Sequence, residues 1–516
     1  MIRRIPITEN YLYIPICTGH EIKTFQFYTE EEDHLEKILE LKIPVDMSKE
    51  EEYAGNFMAE IPVRKYIGKT IVIEGEYPVI MGMVMENSKK RRQYLYRRPR
   101  IHFTVNRGWS NDPNGLVYQN GLYHMYYQYN PFDTNWENMS WGHAVSRDML
   151  HWVQLDTVML PDEDGTMYSG CGLINDRELF KLPKDALLFF YTAAGGITDW
   201  SKGKKFTQKM AYSLDMGETF TKIKEPVIDT IYFDNRDPKI FWHEESESYI
   251  MVLWLKGNDF GIFRSPDLKN WDKTQEIHLE DGWECPDLFC LHSLEGEKKW
   301  FFWSADGYYY PGEFDGYHFE PDDQRHTAYI TKLPYAAQTF SNIKDRVISV
   351  PWLRIKNDGR LFTSSYGIPT ELSYICRNGE YLLVQKPVRE FYEQLFPVNA
   401  DRVYERNGSI IYENSEHDRA FAVSMELSED YGNMYRWEIN GTVIQYSPHS
   451  GVIQADGEKY QAGLGFHKIF MILDDSILEV FFDDGIRMGT FSLNERRMSF
   501  AMEKEMAGQI QMFEIR

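Results

Sequence analysis

Three acidic residues stand in unusual local settings, and at the first of them, Asp112, the sequence predicts a break in a strand. Asp112 lies in the stretch WSNDPNG, Asp237 in NRDP and Glu284 in WECPDLF. Pro113 and Gly115 force a turn, so the Asp112 carboxyl group lies at a strand-to-loop break. Taken alone, each stretch is also typical of an Asx turn, a surface ion pair or a buried glutamate paired with arginine. Together, the three acids are candidates for one catalytic centre.

The surroundings of these acids predict different protonation states. Backbone N–H groups and Asn111 would stabilise the Asp112 carboxylate, so we expect a low pKa and a nucleophile. Tryptophan and cysteine flank Glu284, and burial among apolar groups raises a carboxyl pKa, so we expect a protonated general acid. Asp237 would accept hydrogen bonds from substrate hydroxyls. One ionised and one protonated carboxyl group are what glycoside cleavage requires.

Other chemistries lack their sequence signatures. The chain contains no GxxxxGK[ST], HExxH or GxSxG stretch, and its histidines and cysteines lack zinc-like spacing. We therefore expect no metal and no cofactor. Aromatic residues near the acidic motifs are suited to sugar stacking and equally to a core: Trp109, Tyr126, Tyr127, Tyr129, Trp136, Trp141 and Trp303.

Composition excludes some partners. The 516 residues include 56 Lys plus Arg and 79 Asp plus Glu, a formal charge of −23, which disfavours nucleic acids and anionic membranes. The five cysteines are odd in number and scattered, so no disulfide framework is expected. No apolar run reaches the roughly 18 residues of a spanning helix, and no signal-like segment follows the first residues. We expect a cytoplasmic protein; a secreted one with a trimmed signal would look the same.

A repeated turn indicates how the acids are positioned. Serine and aspartate two residues apart, followed by an aromatic residue, occur at Asp148, Asp215 and Asp267, and a related turn occurs at Asp315. In such turns aspartate caps the backbone and the aromatic side chain packs inward. Multi-stranded units of roughly 50 residues are typical of propeller blades. Four turns and the stretch to residue 390 predict five blades.

The chain divides into three mainly β parts. We expect an N-terminal β-rich module over residues 1–96, a five-bladed β-propeller over 97–390 and a C-terminal β-sandwich over 391–516. Within the first part, the acidic segment 29–42 is interpreted as a helix or a solvated loop. The basic run 89–100 is interpreted as a linker, with an anion-binding patch as the alternative.

Several short blocks resemble, in their order, those of glycoside hydrolase family 32, the invertase, inulinase and levanase family. The blocks are WSNDPNG (109–115), HMYYQYNP (124–131), WGHA (141–144), YSG (168–170), RDP (236–238) and ECP (284–286). The resemblance covers residues 97–516. Departures are Ser110 and Tyr168, where the family has Met and Phe, and Thr370 and Asp475, where it commonly has Arg.

The resemblance implies a propeller followed by a sandwich and cleavage with retention by double displacement. Asp112 would attack C2 of a fructosyl unit, Glu284 would protonate the leaving oxygen, and Asp237 would bind the hydroxyls at C3 and C4. Arg236 would orient the acids. The implied substrate-binding set is Trp109, Asn111, Gln128, Trp136, Tyr168, Ser169, Arg236 and Cys285.

Together, these expectations predict an enzyme that acts on fructans. Residues 1–96 have no counterpart in plain invertases, and similar β-rich preludes occur in bacterial enzymes that trim fructans from one end. We therefore expect a β-fructofuranosidase that releases fructose from levan, inulin, fructo-oligosaccharides or sucrose. A fructosyltransferase, a sucrose-specific invertase and a carbohydrate-binding propeller without catalysis are the alternatives; the last predicts a missing acid. The oligomeric state is open, with a homodimer among the options.

Overall fold

The computed structural model describes most of the 516 residues. The described ranges are 1–31, 34–48, 55–87, 98–293, 296–322, 324–399, 402–414, 420–428, 434–494 and 498–516. Most of them form strands. The helical elements there are short: Tyr77–Met81, Arg389–Tyr392 and the single turns Arg64–Tyr66, Leu179–Lys181, Asp483–Gly485 and Lys504–Met506. Across these ranges no helix has the length and apolar character needed to cross a bilayer.

Five antiparallel sheets, here called blades I to V, follow one another along the chain. Blade I contains Gly108–Gln119, Leu122–Asn130, Ser140–Ser146 and Val153–Gln154, and blade II contains Thr166–Ile174, Leu187–Ala194, Phe206–Ser213 and Thr221–Lys222. Blade III contains Arg236–His243, Ser248–Lys256, Asp259–Ser265 and Asp272–His278. Blade IV contains Asp287–His292, Lys298–Trp303, Tyr308–Phe314 and Phe319–Pro321, with His326–Thr327 beside them. Blade V contains Pro334–Thr339, Val347–Leu353, Thr370–Arg377 and Glu380–Pro387, with Ser365–Tyr366 beside them.

The blades form a ring around their first strands. The first strand of blade I contacts the first strands of blades II and V, and the first strand of blade II contacts that of blade III. Phe362–Thr363, from the blade V segment, pairs in parallel with Gly108–Gln119 and joins the end of the ring to its beginning. The structure therefore confirms a five-bladed propeller.

The repeated turn joins the third and fourth strands of blades I to IV. The Asp148 carboxylate accepts the N–H groups of Leu150 and His151, and Asp267 accepts those of Lys269 and Asn270 in the same way. Asp215 and Asp315 cap their own turns. The four aromatic residues that follow pack against the blade cores. The capped turn thus defines the outer edge of each of these blades.

The N-terminal part consists of two sheets. One contains Ile2–Pro6, Thr70–Glu74, Glu21–Glu31 and His34–Val45, and the other contains Phe57–Pro62, Tyr11–Ile16 and Val84–Glu86. The interpretation of segment 29–42 as a helix or loop is wrong, because its described residues belong to the long antiparallel hairpin of Glu21–Glu31 and His34–Val45. Phe25, Phe27, Leu39, Leu41 and Ile43 alternate into the core and stabilise the hairpin.

Two further sheets form the C-terminal sandwich. The first contains Leu395–Pro397, Ala507–Ile515, Ala420–Leu427, Lys468–Asp474, Ile477–Phe482 and Arg487–Ser492. The second contains Val403–Arg406, Ser409–Glu413, Ser499–Glu503, Tyr435–Ile439, Thr442–Ser447, Val452–Ala455 and Glu458–Gln461. Their facing side chains share one buried core, which includes Trp437 and Phe482. The all-β fold is confirmed; the exact boundaries of the three parts stay a prediction, and residues 89–97 of the basic run lie outside the described residues.

Candidate active site

The first strands of the blades depart from regular pairing at similar positions. The register shifts lie between Ser110 and Pro113, Met167 and Gly170, Arg236 and Lys239, and Tyr335 and Gln338. A bulge redirects a side chain out of the sheet. Asp112, Ser169 and Asp237 lie inside these irregularities, and Glu284 lies three residues before Asp287, where the first strand of blade IV begins.

The backbone at two of the acids is strained. Asp237 has φ of 65°, Glu284 of 22° and the adjacent Cys285 of 43°. L-residues rarely adopt the left-handed region, and each such residue costs about 1–3 kcal/mol when the surroundings hold it there. The carboxyl groups of Asp237 and Glu284 belong to the lining of one cavity.

A cavity of about 840 Å³ opens where these side chains meet. Its lining includes all three candidate acids, Asp112, Asp237 and Glu284. The other side chains that line it are Asn111, Gln128, Trp136, Tyr168, Ile197, Lys204, Lys205, Phe206, Phe233, Asp234, Arg236, Tyr335 and Trp352. A pocket of this size and mixed polarity accommodates a sugar unit and part of its neighbour.

A directed chain of hydrogen bonds ends on Asp112. The Trp109 indole donates to Asn111 Oδ1 (2.8 Å), Asn111 Nδ2 donates to Gln128 Oε1 (2.9 Å), and Gln128 Nε2 donates to Ser169 Oγ (2.6 Å). Ser169 Oγ then donates to Asp112 Oδ2 (2.6 Å). Because every member donates to the next, the chain fixes both amide orientations and holds one carboxyl oxygen of Asp112.

The pKa of Asp112 is raised, so the expectation of a low value is wrong. Burial is the main cause, and the charge of Glu284 adds to it; the hydrogen bonds from Ser169, Asn111 and Cys285 oppose the rise. The sequence shows the nearby donors, but it does not show how completely the fold removes this carboxyl group from water. Ionising Asp112 therefore depends on its hydrogen-bond donors and on the positive charge in the cavity.

Cys285 lies between two of the carboxyl groups. Its Sγ atom is 3.6 Å from Asp112 Oδ2 and 3.4 Å from Asp237 Oδ2, and its backbone N–H donates to Asp237 Oδ2 (3.1 Å). Burial, followed by the charges of Asp237 and Asp112, raises the pKa of this thiol well above its ordinary value. The group therefore stays a neutral thiol that can donate to both acids.

Asp237 is buried beside a single strong cation. Arg236 Nε lies 3.7 Å from Asp237 Oδ2, and the Asp237 N–H donates to Thr192 Oγ1 (3.0 Å). Burial is the main cause of a raised pKa at Asp237, and the charges of Glu284 and Asp112 add to it against the effect of Arg236. Two buried acids with raised pKa values next to each other are typical of functional sites.

Glu284 contacts both a cation and a phenol. Arg236 donates to Glu284 Oε2 from NH2 (2.6 Å) and Nε (3.1 Å), and the Tyr335 hydroxyl donates to Glu284 Oε1 (2.6 Å). The Arg236 guanidinium also lies 4.0 Å from the ring centre of Trp254. The neighbours of Glu284 are thus more polar than the flanking tryptophan and cysteine indicated, and its protonated state stays a prediction.

Residues 102–387 match the sequence model of the glycosyl hydrolases family 32 N-terminal domain, and this range is more than half of the chain. The chain belongs to glycosyl hydrolase family 32. The levanase of Bacillus subtilis (strain 168) is 35% identical over 327 residues, which are 57% of this chain and 47% of the levanase. An extracellular exo-inulinase of Meyerozyma guilliermondii is 30% identical over 461 residues, which are 75% of this chain and 88% of that protein.

A solved structure matches the whole fold. The family 32 glycoside hydrolase of Bifidobacterium adolescentis has a TM-score of 0.69 at 17% identity, and the match covers 100% of this chain and 99% of that one. This likeness concerns the fold, the N-terminal sheets included. The chain spans about half the length of the first curated relatives that it matches.

The structure brings together the sequence-predicted residues of this family 32 chain. Asn111, Gln128, Trp136, Tyr168 and Arg236 line the cavity with the three acids. Ser169 and Cys285 lie against the carboxyl groups, and Trp109 reaches the site through Asn111. Most of the aromatic residues considered for sugar stacking instead lie in the blade cores, namely Tyr126, Tyr127, Tyr129, Trp141 and Trp303.

Sequence reasoning assigned no role to four aromatic side chains at the cavity, namely Phe206, Phe233, Tyr335 and Trp352. Tyr335 donates to Glu284, and Trp352 packs edge-on against both Tyr335 and Trp109 with ring centres 6.0 Å apart. Phe233 is 85% exposed at the rim. Tyr335 stands in the stretch YAAQTF, residues 335–340, which also resembles the family, whereas Trp352 and Phe233 stand in no recognisable motif. Among the described residues no cluster of three or more metal-ligating side chains is present.

Proposed function

We propose that this family 32 protein is a retaining β-fructofuranosidase that releases fructose from fructans and fructo-oligosaccharides. The observation that carries the proposal is the convergence of Asp112, Asp237 and Glu284 on one cavity. The names of the levanase and the exo-inulinase indicate levan and inulin as the substrates of those relatives. We extend this substrate class to the present chain.

In the first step Asp112 is the nucleophile. One of its carboxylate oxygens forms a bond to C2 of the terminal fructosyl unit while the bond from C2 to the leaving oxygen breaks. Glu284 transfers its proton to that oxygen, and the remaining sugar or shortened chain departs. A fructosyl ester of Asp112 results, and Glu284 is left as a carboxylate beside Arg236.

In the second step water replaces the departed sugar. Glu284 takes a proton from the water, whose oxygen attacks C2 and breaks the ester bond to Asp112. Fructose leaves with its original configuration at C2, and Glu284 is protonated again. The hydrogen bond from Ser169 stabilises Asp112 as a carboxylate in both its attacking and its leaving role.

Asp237 binds the fructosyl ring and Arg236 positions the acids during both steps. Asp237 accepts hydrogen bonds from the C3 and C4 hydroxyl groups of the fructosyl ring. Arg236 contacts Glu284 directly and lies near Asp237, so it fixes the relative positions of the two acids. The Tyr335 hydroxyl holds the second oxygen of Glu284.

The cavity rim supports a substrate longer than sucrose. Phe233 and Trp352 offer aromatic faces beyond the acids, and sugar rings pack favourably on such faces. The exo-inulinase relative supports removal of one terminal fructose at a time.

Product analysis tests the proposal. Purified wild type, D112N and E284Q are incubated with sucrose, inulin and levan, and products are separated by anion-exchange chromatography. We expect free fructose from the first minutes with wild type and almost none with either variant. The exposed residues Asp229 and Glu225 supply matched controls, D229N and E225Q, which should behave as wild type. Absence of fructose from every substrate with wild type would refute the proposal, and longer oligomers in place of fructose would indicate fructosyl transfer.

A further inference from the structure

Two loops form one wall of the cavity. The first, here called the Trp136 loop, spans residues 131–139 and places Trp136 at the cavity, edge-on to Tyr168 with ring centres 6.2 Å apart. The second, here called the Gly195 loop, spans residues 195–205 and lines the cavity at both of its ends. Both loops belong to the propeller, yet both also contact the N-terminal sheets.

The Trp136 loop is anchored in the N-terminal part at two points. Phe132 is completely buried and belongs to the hydrophobic core of the N-terminal sheets. Asn138, only 4% exposed, donates from Nδ2 to the Lys42 carbonyl (2.8 Å) and accepts the Lys42 N–H at Oδ1 (2.8 Å). This side chain pairs with the exposed edge of His34–Val45 as a neighbouring strand would.

The Gly195 loop contacts the same strand through Glu40. The Glu40 carboxylate is 4% exposed; Oε1 accepts the backbone N–H of Trp200 (3.2 Å), and Oε2 is 2.5 Å from Lys37 Nζ. Lys37 Nζ also lies 5.2 Å from the ring centre of Trp200. The edge of one N-terminal strand therefore contacts both loops of the cavity wall.

Internal bonds give the Gly195 loop its shape but not its position. The Ser201 side chain is buried and bonded to Thr198, and the Gly196 N–H is bonded to Ser201. A loop stiffened in this way moves as a unit. Lys204 Nζ pairs with Asp164 Oδ1 (2.9 Å) and Glu40 accepts the Trp200 N–H, and both contacts tie this unit to its surroundings. The contact with Glu40 therefore helps to set where the unit stands relative to the acids.

We propose that the strand His34–Val45 is a positioning element of the active site, with Glu40 as a positioning residue that acts on substrate through the Gly195 loop. The proposal rests on the fructosidase function proposed above. Loss of Glu40 leaves the Trp200 N–H without its protein acceptor and frees the loop. Substrate binding then has to order the loop, and the free-energy cost of that ordering weakens binding. The defect should appear in KM, because the acids that perform the chemistry are held by other contacts.

Kinetics of three variants test the role of Glu40. E40A removes the acceptor, and E40Q keeps an acceptor oxygen for Trp200. E30A is the control and removes a half-buried carboxylate on the same hairpin, one that contacts Arg4 and neither cavity loop. With inulin or levan, whichever wild type cleaves, we expect KM of E40A to rise about fivefold to tenfold with kcat within about twofold. E40Q should recover most of the wild-type KM, and E30A should match wild type.

Hydrogen–deuterium exchange of the free proteins supplies a readout that needs no activity. The amides of residues 195–205 should exchange faster in E40A than in wild type, with those of the blade III strands unchanged and the thermal transition within a few degrees. An unchanged KM together with unchanged exchange in the Gly195 loop would overturn the inference. If wild type releases no fructose, the proposed function fails, while the exchange experiment still decides whether Glu40 positions the loop.

Discussion

The active-site cavity and the contact between propeller and C-terminal sandwich are built from similar groups. Each places buried carboxyl groups around one positively charged side chain. In the cavity the cation is Arg236, next to Asp237 and Glu284. At the contact it is His102, whose Nδ1 lies 3.0 Å from Asp474 Oδ2 and whose Nε2 lies 3.6 Å from Glu479 Oε2.

The two regions differ in how well the carboxyl groups are supplied with donors. Asp474 accepts three backbone N–H groups, those of Arg100, Ile101 and His102, and the His102 ring in addition. Burial opposes ionisation of Asp474, but these donors and the charge of His102 lower its pKa. Asp237 accepts one backbone N–H and a weak thiol donor, and its pKa is raised.

This difference indicates that one region stabilises the fold and that the other is suited to binding a ligand. A carboxylate with full hydrogen bonding next to a cation stabilises the fold. A carboxyl group with few donors on a strained backbone, as at Asp237, destabilises the folded protein. In the proposed function this group is available to a substrate whose hydroxyl groups supply further hydrogen bonds. Four predictions test the contrast, from the largest expected effect to the smallest.

Removing the nucleophile should abolish activity without weakening the fold. We expect D112N to reduce kcat for fructose release by about 10⁴-fold or more, because no other group can form the ester. Its thermal midpoint should equal or exceed that of wild type, since the change removes a buried charge next to Glu284. Fructose assays and calorimetry on one preparation measure both; a D112N protein with more than one hundredth of wild-type kcat would contradict the assignment.

The opposite result is expected at the sandwich contact. D474N leaves the His102 cation and the backbone donors around a neutral amide, which should lower the free energy of unfolding by about 4 kcal/mol. At a temperature where the variant stays folded, kcat and KM should be those of wild type. Urea unfolding provides the measurement, and a loss below about 1 kcal/mol would show that the contact stabilises much less than its geometry indicates.

The pH dependence of stability should carry the signature of His102. Burial alone would lower its pKa, but Asp474 and Glu479 raise it from 6.5 to about 9. The protonated ring therefore stabilises the folded state fully below pH 6.5, and this contribution is lost as the pH rises through about 9. We expect wild type to lose about 3 kcal/mol over this window. In H102Q this part of the pH dependence should be absent.

Neutralising Asp237 should give a small gain in stability. Since burial raises its pKa, an ionised Asp237 destabilises the folded state increasingly as the pH rises above the range of an unfolded aspartate. At pH 8 we expect D237N to raise the free energy of unfolding by about 1 kcal/mol, although activity is lost. D237N should therefore raise the free energy of unfolding, whereas D474N should lower it. A change of the same sign in both variants would contradict the distinction between the two regions.

Much of the fold follows from local sequence signals. The capped turns at Asp148, Asp215, Asp267 and Asp315 mark the outer edges of four blades because their chemistry is contained in a few adjacent residues. The three acids are found in the same way, because each stands in a short stretch with an unusual local setting: Pro113 and Gly115 beside Asp112, Arg236 beside Asp237, and Trp283 and Cys285 beside Glu284. The N-terminal hairpin is missed because a run of glutamates obscures the alternation of its buried residues.

What the sequence could not supply depends on distant contacts. The raised pKa of Asp112 results from burial by several blades, and no residue next to it in the chain reveals this. Trp352 and Tyr335 reach the acids only because blade V closes the ring beside blade I. The contacts of Glu40 and Lys42 with the cavity loops join residues about 100 to 160 positions apart.

The stereochemistry of the first product tests the central claim most directly. Nuclear magnetic resonance during the first minutes of fructan cleavage distinguishes the two anomers of free fructofuranose before they equilibrate. Attack by Asp112 followed by attack of water predicts β-fructofuranose as the first species, with the α form appearing only later. Initial release of α-fructofuranose would mean a single displacement by water and would contradict the account.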